Sequence, residues 1–190
     1  MAHSLSDFKS TLSGGGARAN LFEVSLTLPT IAGYAPPADF YKDFKILCKS
    51  AALPASNIGN VDIPFRGRVF KVAGERTFDP WQITVINDTN FQIRTAMEEW
   101  MQFIGQYQDG SGVTSPGSYM VNAQVDQLTR NASDQAKTAT TGLSVAKSYK
   151  FYDIFPTSVS AIDLSYDSSD AIEEFTVEFQ VQYWAPSTKT

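Results

Sequence analysis

Apolar and polar residues alternate strictly in several stretches of the chain. Phe22, Val24, Leu26 and Leu28 interleave with Glu23, Ser25 and Thr27 before Pro29. That period of two predicts a strand with one buried face. Val61, Ile63 and Phe65 alternate again, and Val69 to Val72 resume beyond Arg66-Gly67-Arg68. The pair predicts a long hairpin over about 61–72, turning at Gly67. Trp81, Ile83 and Val85 mark another strand. The cleanest pattern lies near the end, where Phe175, Val177, Phe179, Val181 and Tyr183 face one way. Thr176, Glu178, Gln180 and Gln182 face the other. Less regular strands are expected over 42–52 (around Phe44, Ile46 and Cys48), 120–128, 143–151 and 162–166. Pro156 and Ser168-Ser169-Asp170 read as turns.

The period changes once. Ile93, Met97, Trp100, Met101 and Ile104 recur at three- to four-residue spacing, which predicts an amphipathic helix over about 88–104. Asn87-Asp88-Thr89 supplies its N-cap and Gly105 its end. Phe8 and Leu12 stand at i, i+4, enough for a short helical turn before Ser13-Gly14-Gly15-Gly16. Segments 29–41, 105–118 and 129–142 are rich in Pro, Gly, Ser, Thr and Asp and read as loops. The sum is a mainly β protein: an antiparallel sandwich or barrel with one flanking helix and a long hairpin. Residues 1–17 read as a flexible arm and 18–190 as a single domain.

Composition adds a hint of assembly. Hydrophobic residues make up 43% of the 190 residues and charged residues 18%, below the roughly 25% charged share of ordinary globular chains. A surface so poor in charge suits burial against other protein. The net charge of −5 is unevenly spread. Residues 1–95 carry ten Lys/Arg against eight Asp/Glu, and residues 96–190 carry five against twelve. From Phe151 onward seven acids face one base, Lys189. Ordinary DNA binding needs a basic face, so this balance argues against it.

Catalytic chemistry is hard to place. His3 is the sole histidine and lies in the arm, where no scaffold positions it, so Ser/His/Asp and Cys/His arrangements are nearly excluded. Cys48 is the sole cysteine and reads as a buried structural residue, leaving neither a disulfide nor a cysteine metal site. The three glycines at 14–16 lack the Lys-Ser/Thr that cradles phosphate. Asp163, Asp167 and Asp170 do not have EF-hand spacing. Glu98 and Glu99 are adjacent on a helix and point apart. No enzyme activity, cofactor or metal is expected. No apolar run approaches the roughly 20 residues of a membrane span, and the N-terminus has no signal-peptide core. No stable membrane insertion is expected, and the chain reads as made in a cytoplasm-like compartment.

Five segments carry a resemblance. They are Ala19 to Val24, Cys48 to Ala55, Val72 to Trp81 with Val85-Ile86-Asn87-Asp88, Phe155 to Val159, and the closing Phe175 to Trp184. In this order the chain resembles the tail-tube proteins of T-even-like contractile phages over 18–184. It departs at Ala19, where the family has proline, and in extra loop at 29–41 and 105–142. The resemblance implies a β-sandwich subunit that forms homohexameric rings, stacked into the hollow inner tube of a contractile tail. It also implies sheath, baseplate and tail-terminator partners, a tape-measure protein in the lumen, and transient passage of double-stranded DNA. Host cytoplasmic assembly and a place in the virion follow. Arg66, Arg68 and Lys71 on the hairpin, with Arg18 and Asn20 before the first strand, are candidate subunit or ring contacts. Glu178, Gln180 and Gln182 are candidate lumen-facing residues. The alternatives are the tube of a phage-like bacteriocin or extracellular injection system, and, from another class, a carbohydrate-binding β-sandwich using Tyr34, Tyr41, Trp81 and Trp184.

Overall fold

A computed structural model of the chain describes residues 4–12, 16–130, 144–167 and 170–187. His3, most of the Gly-rich stretch, the 131–142 part of the expected 129–142 loop, Leu143, Ser168-Ser169 and Lys189 lie outside the described residues. The strands are β1 (Phe22–Leu26), β2 (Cys48–Ala51), β3 (Ser56–Phe65), β4 (Arg68–Phe78), β5 (Trp81–Ile86), β6 (Val121–Thr129), β7 (Ser144–Val159), β8 (Glu174–Gln180) and β9 (Tyr183–Ser187). The helices are α1 (Leu5–Thr11), α2 (Phe40–Leu47), α3 (Gln92–Ile104) and the one-turn α4 (Pro116–Tyr119).

Seven strands form one antiparallel sheet ordered β1-β6-β7-β8-β5-β2, with β9 also on β7. The 16-residue β7 serves two layers. Its first part pairs β6 and β9, and its last part, Phe155 to Val159, pairs β8. Between them Asp153 adopts φ 54, a left-handed residue that bends the strand. The sheet therefore folds over on itself, and the two inner faces meet. Trp81 of β5 stacks on Phe151 of β7 with ring centres 4.7 Å apart, and Phe179 of β8 lies 5.3 Å from Trp81. All three rings are fully buried. Truncating any one to Ala costs about 3–5 kcal/mol.

The expected helix is α3, which closes one side of this core with Ile93, Ala96, Met97 and Trp100. Its Trp100 Nε1 donates to the Tyr119 carbonyl at 2.9 Å. It starts later than expected: its N-cap residue is Phe91, at φ 54 and with no side-chain cap bond, not Asn87-Asp88-Thr89. Asp88 Oδ1 accepts from the Gln92 amide at 3.0 Å, which satisfies the first helical N–H.

Four local expectations change. Residues 40–47 form helix α2 instead of a strand. Phe40 and Phe44, four apart, are buried, while Ile46, which the strand reading made a core residue, is exposed. Pro156 does not turn the chain. It sits within β7 opposite Phe179, beside a register shift. Residues 162–166 are not a strand, and Leu164 and Tyr166 are exposed. The closing strand divides into β8 and β9, so Tyr183 stacks on Tyr152, with ring centres 4.6 Å apart, instead of joining Phe175, Val177, Phe179 and Val181 in the core.

Candidate functional site and assembly surfaces

The hairpin is the most unusual surface of the molecule. β3 and β4 form a two-stranded sheet of their own, running from Ser56↔Phe78 to Phe65↔Arg68. It is longer than the 61–72 expected from alternation. At its tip Arg66 and Gly67 both have positive φ, 44 and 81, as a two-residue type I′ turn requires. Nine steps of β3 carry that tip about 30 Å from the base. At the base Asn57 Nδ2 donates to Asp79 Oδ1 at 3.0 Å. Val61↔Val72 and Ile63↔Phe70 pair directly across the strands, so their side chains share one face with Phe65 and Arg68. Asp62↔Lys71 and Pro64↔Val69 occupy the other. All of these residues are exposed, Phe65 and Phe70 each by 65%. A lone two-stranded hairpin is marginal in water, and an apolar face of this size marks an interaction surface.

The three hairpin bases expected to make contacts, Arg66, Arg68 and Lys71, do not form one cluster. Arg66 is in the turn, its guanidinium 5.4 Å from the Phe65 ring centre. Arg68 borders the apolar face, and Lys71 lies on the polar face opposite Asp62. None makes an ion pair among the described residues. Arg18 and Asn20 are exposed in the turn before β1. The Arg18 carbonyl accepts from Gln127 Nε2 at 2.7 Å and from the Leu21 amide at 3.1 Å, so this turn is tied to β6.

Glu178, Gln180 and Gln182 are not on one strand. Glu178 and Gln180 belong to the outward face of β8, and Gln182 is exposed in the bend before β9. Across that face Gln82 Nε2 donates to Glu178 Oε2 at 2.8 Å, and the Thr84 and Thr176 hydroxyls lie 3.4 Å apart. Ser50 pairs with Thr84 and Ser158 with Glu178. The result is a wall of hydroxyls and amides with few charges. Lys49 at its margin pairs with Glu174.

Two further surfaces are exposed, one on the helical turn expected in the N-terminal arm and one that the sequence reading missed. Leu5, Phe8 and Leu12 form an exposed stripe on α1, whose start is fixed by a Ser4–Asp7 capping box. On either side of Ser168-Ser169, the described residues of the 161–174 segment expose Leu164 (79%), Tyr166 and Ile172 (73%) together with Asp163, Asp167 and Asp170. Its signal was a false alternation at 162–166. The density of acids around it was legible, but its exposure was not.

The aromatics proposed as a sugar platform do not form one. Trp81 is fully buried, and Trp184 packs edge-on against Phe78 and Tyr149. Among the described residues no group of three or more His, Cys, Asp or Glu converges in a metal-holding arrangement, and no helix is long and apolar enough to cross a membrane.

A large unpartnered hairpin on a core with no converging chemistry points to assembly, and comparison with known proteins agrees. The family model described as phage tail tube protein matches residues 17–187. The chain belongs to the phage tail tube protein family. It is 31% identical over 173 residues to the tail tube protein gp19 of Enterobacteria phage T4, covering 90% of this chain and 93% of that one. The tail tube protein of Serratia phage KSP90 is 23% identical over 178 residues, covering 93% of each chain. Among solved structures, the sheath-tube complex of an extracellular contractile injection system (PVC, extended state) contains a chain of TM-score 0.61 at 11% identity, covering 99% of this chain and all of that one. The anti-feeding prophage baseplate contains another at TM-score 0.61 and 9% identity, covering 90% and 95%. Those likenesses establish the tube-protein fold. Members of the tail tube family are structural components of the virion and not enzymes, which agrees with the expectation drawn from the single His and single Cys.

Proposed function

We propose that this tail tube protein forms homohexameric rings that stack into the hollow inner tube of a contractile phage tail. The tube pierces the host envelope on contraction and conducts double-stranded DNA. The observation that carries this reading is the hairpin's exposed apolar face (Val61, Ile63, Phe65, Phe70 and Val72), which nothing among the described residues covers. Burial in an assembly removes its apolar face from water. The free edges of β1, β2 and β9 among the described residues support closure of a barrel across subunits, which eliminates exposed strand edges.

The outward face of β5 and β8, with Glu178 and Gln180, is our candidate channel wall, and Gln182 lies at its rim. A wall of amides, hydroxyls and scattered carboxylates offers phosphate nothing to hold, so DNA slides through. Arg66, Arg68, Lys71, Arg18 and Asn20 are proposed to contact neighbouring subunits. Sheath outside, tape-measure protein inside, and baseplate and tail-terminator proteins at the two ends complete the proposed partners, with assembly in the host cytoplasm. The 31% identity to a phage tube protein, against 11% to the injection-system chain, favours a phage over the alternative injection machine.

Negative-stain microscopy of the purified chain tests the reading. Rings or tubes of uniform width are expected, and a monomer at every concentration overturns it. The channel wall has its own test. Tubes carrying Glu178→Lys and Gln180→Lys are expected to retain DNA at low salt, whereas unmodified tubes do not. Equal retention by both removes this face from the channel.

A further inference from the structure

The basic hairpin and the acidic 161–174 segment lie at opposite ends of the same two strands. β5 pairs with β8 from Trp81↔Phe179 to Ile86↔Glu174. The hairpin base, Phe78, adjoins the first of these pairs. The 161–174 segment runs directly into the last, where the Asn87 amide donates to the Glu173 carbonyl at 2.9 Å. The two ends are about 17 Å apart along the strand.

Their chemistry is complementary. The hairpin carries Arg66, Arg68, Lys71 and Arg76 against Asp62 and Glu75, beside an apolar face. The 161–174 segment carries Asp163, Asp167, Asp170, Glu173 and Glu174 with no base. Glu174 is taken by Lys49, and Glu173 accepts from Asn87 Nδ2. Asp163, Asp167 and Asp170 are exposed and make no ion pair among the described residues. Beside them Leu164 and Ile172 line a cleft of about 290 Å³.

We infer that the hairpin of one copy docks on the 161–174 segment of a second copy. Its apolar face covers Leu164, Tyr166 and Ile172, and Arg66, Arg68 and Lys71 meet Asp163, Asp167 and Asp170. The inference rests on the tube reading above and names the receiving surface. Because the two patches are different surfaces of one chain, the contact is head-to-tail. Such a contact repeats from copy to copy, and with a translation along the tube axis it extends as a polymer instead of closing into a ring. Complementary charges set its register, and the apolar pairs supply most of its stability.

A charge exchange tests it. Two variants are prepared, R66E/R68E/K71E and D163K/D167K/D170K, with folding checked by circular dichroism. Each alone faces like charge and is expected to lose tubes to background in sedimentation and microscopy. Their equimolar mixture is expected to regain them, since each hairpin then meets an opposite charge. Tubes from either variant alone at the unmodified yield, or none from the mixture, overturn the contact. Cross-linking reads the contact even where no tube forms. On a Cys48→Ala background, a Phe70→Cys chain is mixed with a Leu164→Cys chain and oxidised. A disulfide-linked heterodimer is expected well above either homodimer, and its absence overturns the docking. Failure of the unmodified chain to assemble while the heterodimer forms sinks the tube reading and leaves the docking standing.

Discussion

At the scale of single residues, Cys48 shows how burial replaces reactivity. It sits where α2 hands over to β2, and its Sγ donates to the Ser50 carbonyl at 3.6 Å. Burial pushes the thiol from its ordinary 9.0 up to about 12, because the thiolate loses its water. At neutral pH the side chain is a small protonated hydrophobe. The sign of the pH effect follows. Between pH 9 and 12 the unfolded chain releases this proton and the folded chain keeps it. Cys48 therefore leaves stability unchanged below about pH 9 and lowers it above that, by about 1 kcal/mol per pH unit. Urea unfolding at pH 8 and pH 10, compared with Cys48→Ala, measures this. The unmodified protein is expected to lose about 1 kcal/mol more than the variant over that interval. Equal losses remove Cys48 as the cause. The same burial predicts that iodoacetamide modifies Cys48 in urea but not in the native protein.

At the scale of elements, the hairpin tip combines strain with exposure. Arg66 holds φ 44 with a side chain that gains only its stacking on Phe65. A non-glycine residue in this region costs about 1–2 kcal/mol, and Asn is among the few that tolerate it. Arg66→Asn is expected to stabilise the hairpin by about 1 kcal/mol, read as slower amide exchange at Val61, Ile63, Phe70 and Val72 in the unassembled protein. Unchanged exchange contradicts a strained turn. If Arg66 also contacts a neighbour, the same variant assembles less well, so the natural residue would trade local stability for contact. Strict alternation made this hairpin readable, as it did β1, β5 and β8, because a period of two maps directly onto one buried face. It was silent on partners: Val61 and Ile63 alternate as core residues do, yet face water. α2 was misread because Phe44, Ile46 and Cys48 fit a period of two while Phe40 and Phe44 fit a helix, and only packing against β1 decides between them. β7 was read as a strand over 143–151 followed by a turn at Pro156, since the bend that lets it serve two layers lies in Asp153, whose conformation no local pattern announces.

At the scale of the whole molecule, three apolar surfaces have no partner within the described chain: the hairpin, the 161–174 segment and α1. The first two are matched by charge and by position at opposite ends of β5 and β8. α1 differs, because it buries no residue, and its hydrogen bonds are all local. A helix of seven residues is too short to persist on its own in water, so its Leu5, Phe8 and Leu12 stripe gains stability only by docking. Ordering the segment costs conformational entropy, which docking must offset. Two consequences separate. Removing residues 1–16 deletes nothing from the core, so the shortened chain is expected to keep its circular dichroism spectrum and its melting temperature. It also deletes one docking surface per subunit, and each subunit of a tube loses the same contact. The penalty therefore repeats along the polymer, and long tubes are expected to give way to rings or monomers in negative-stain images. A lowered melting temperature would place α1 in the fold of the subunit. Tubes of ordinary length from the shortened chain would show that the arm makes no contribution to stacking and that the hairpin and its acidic receptor suffice.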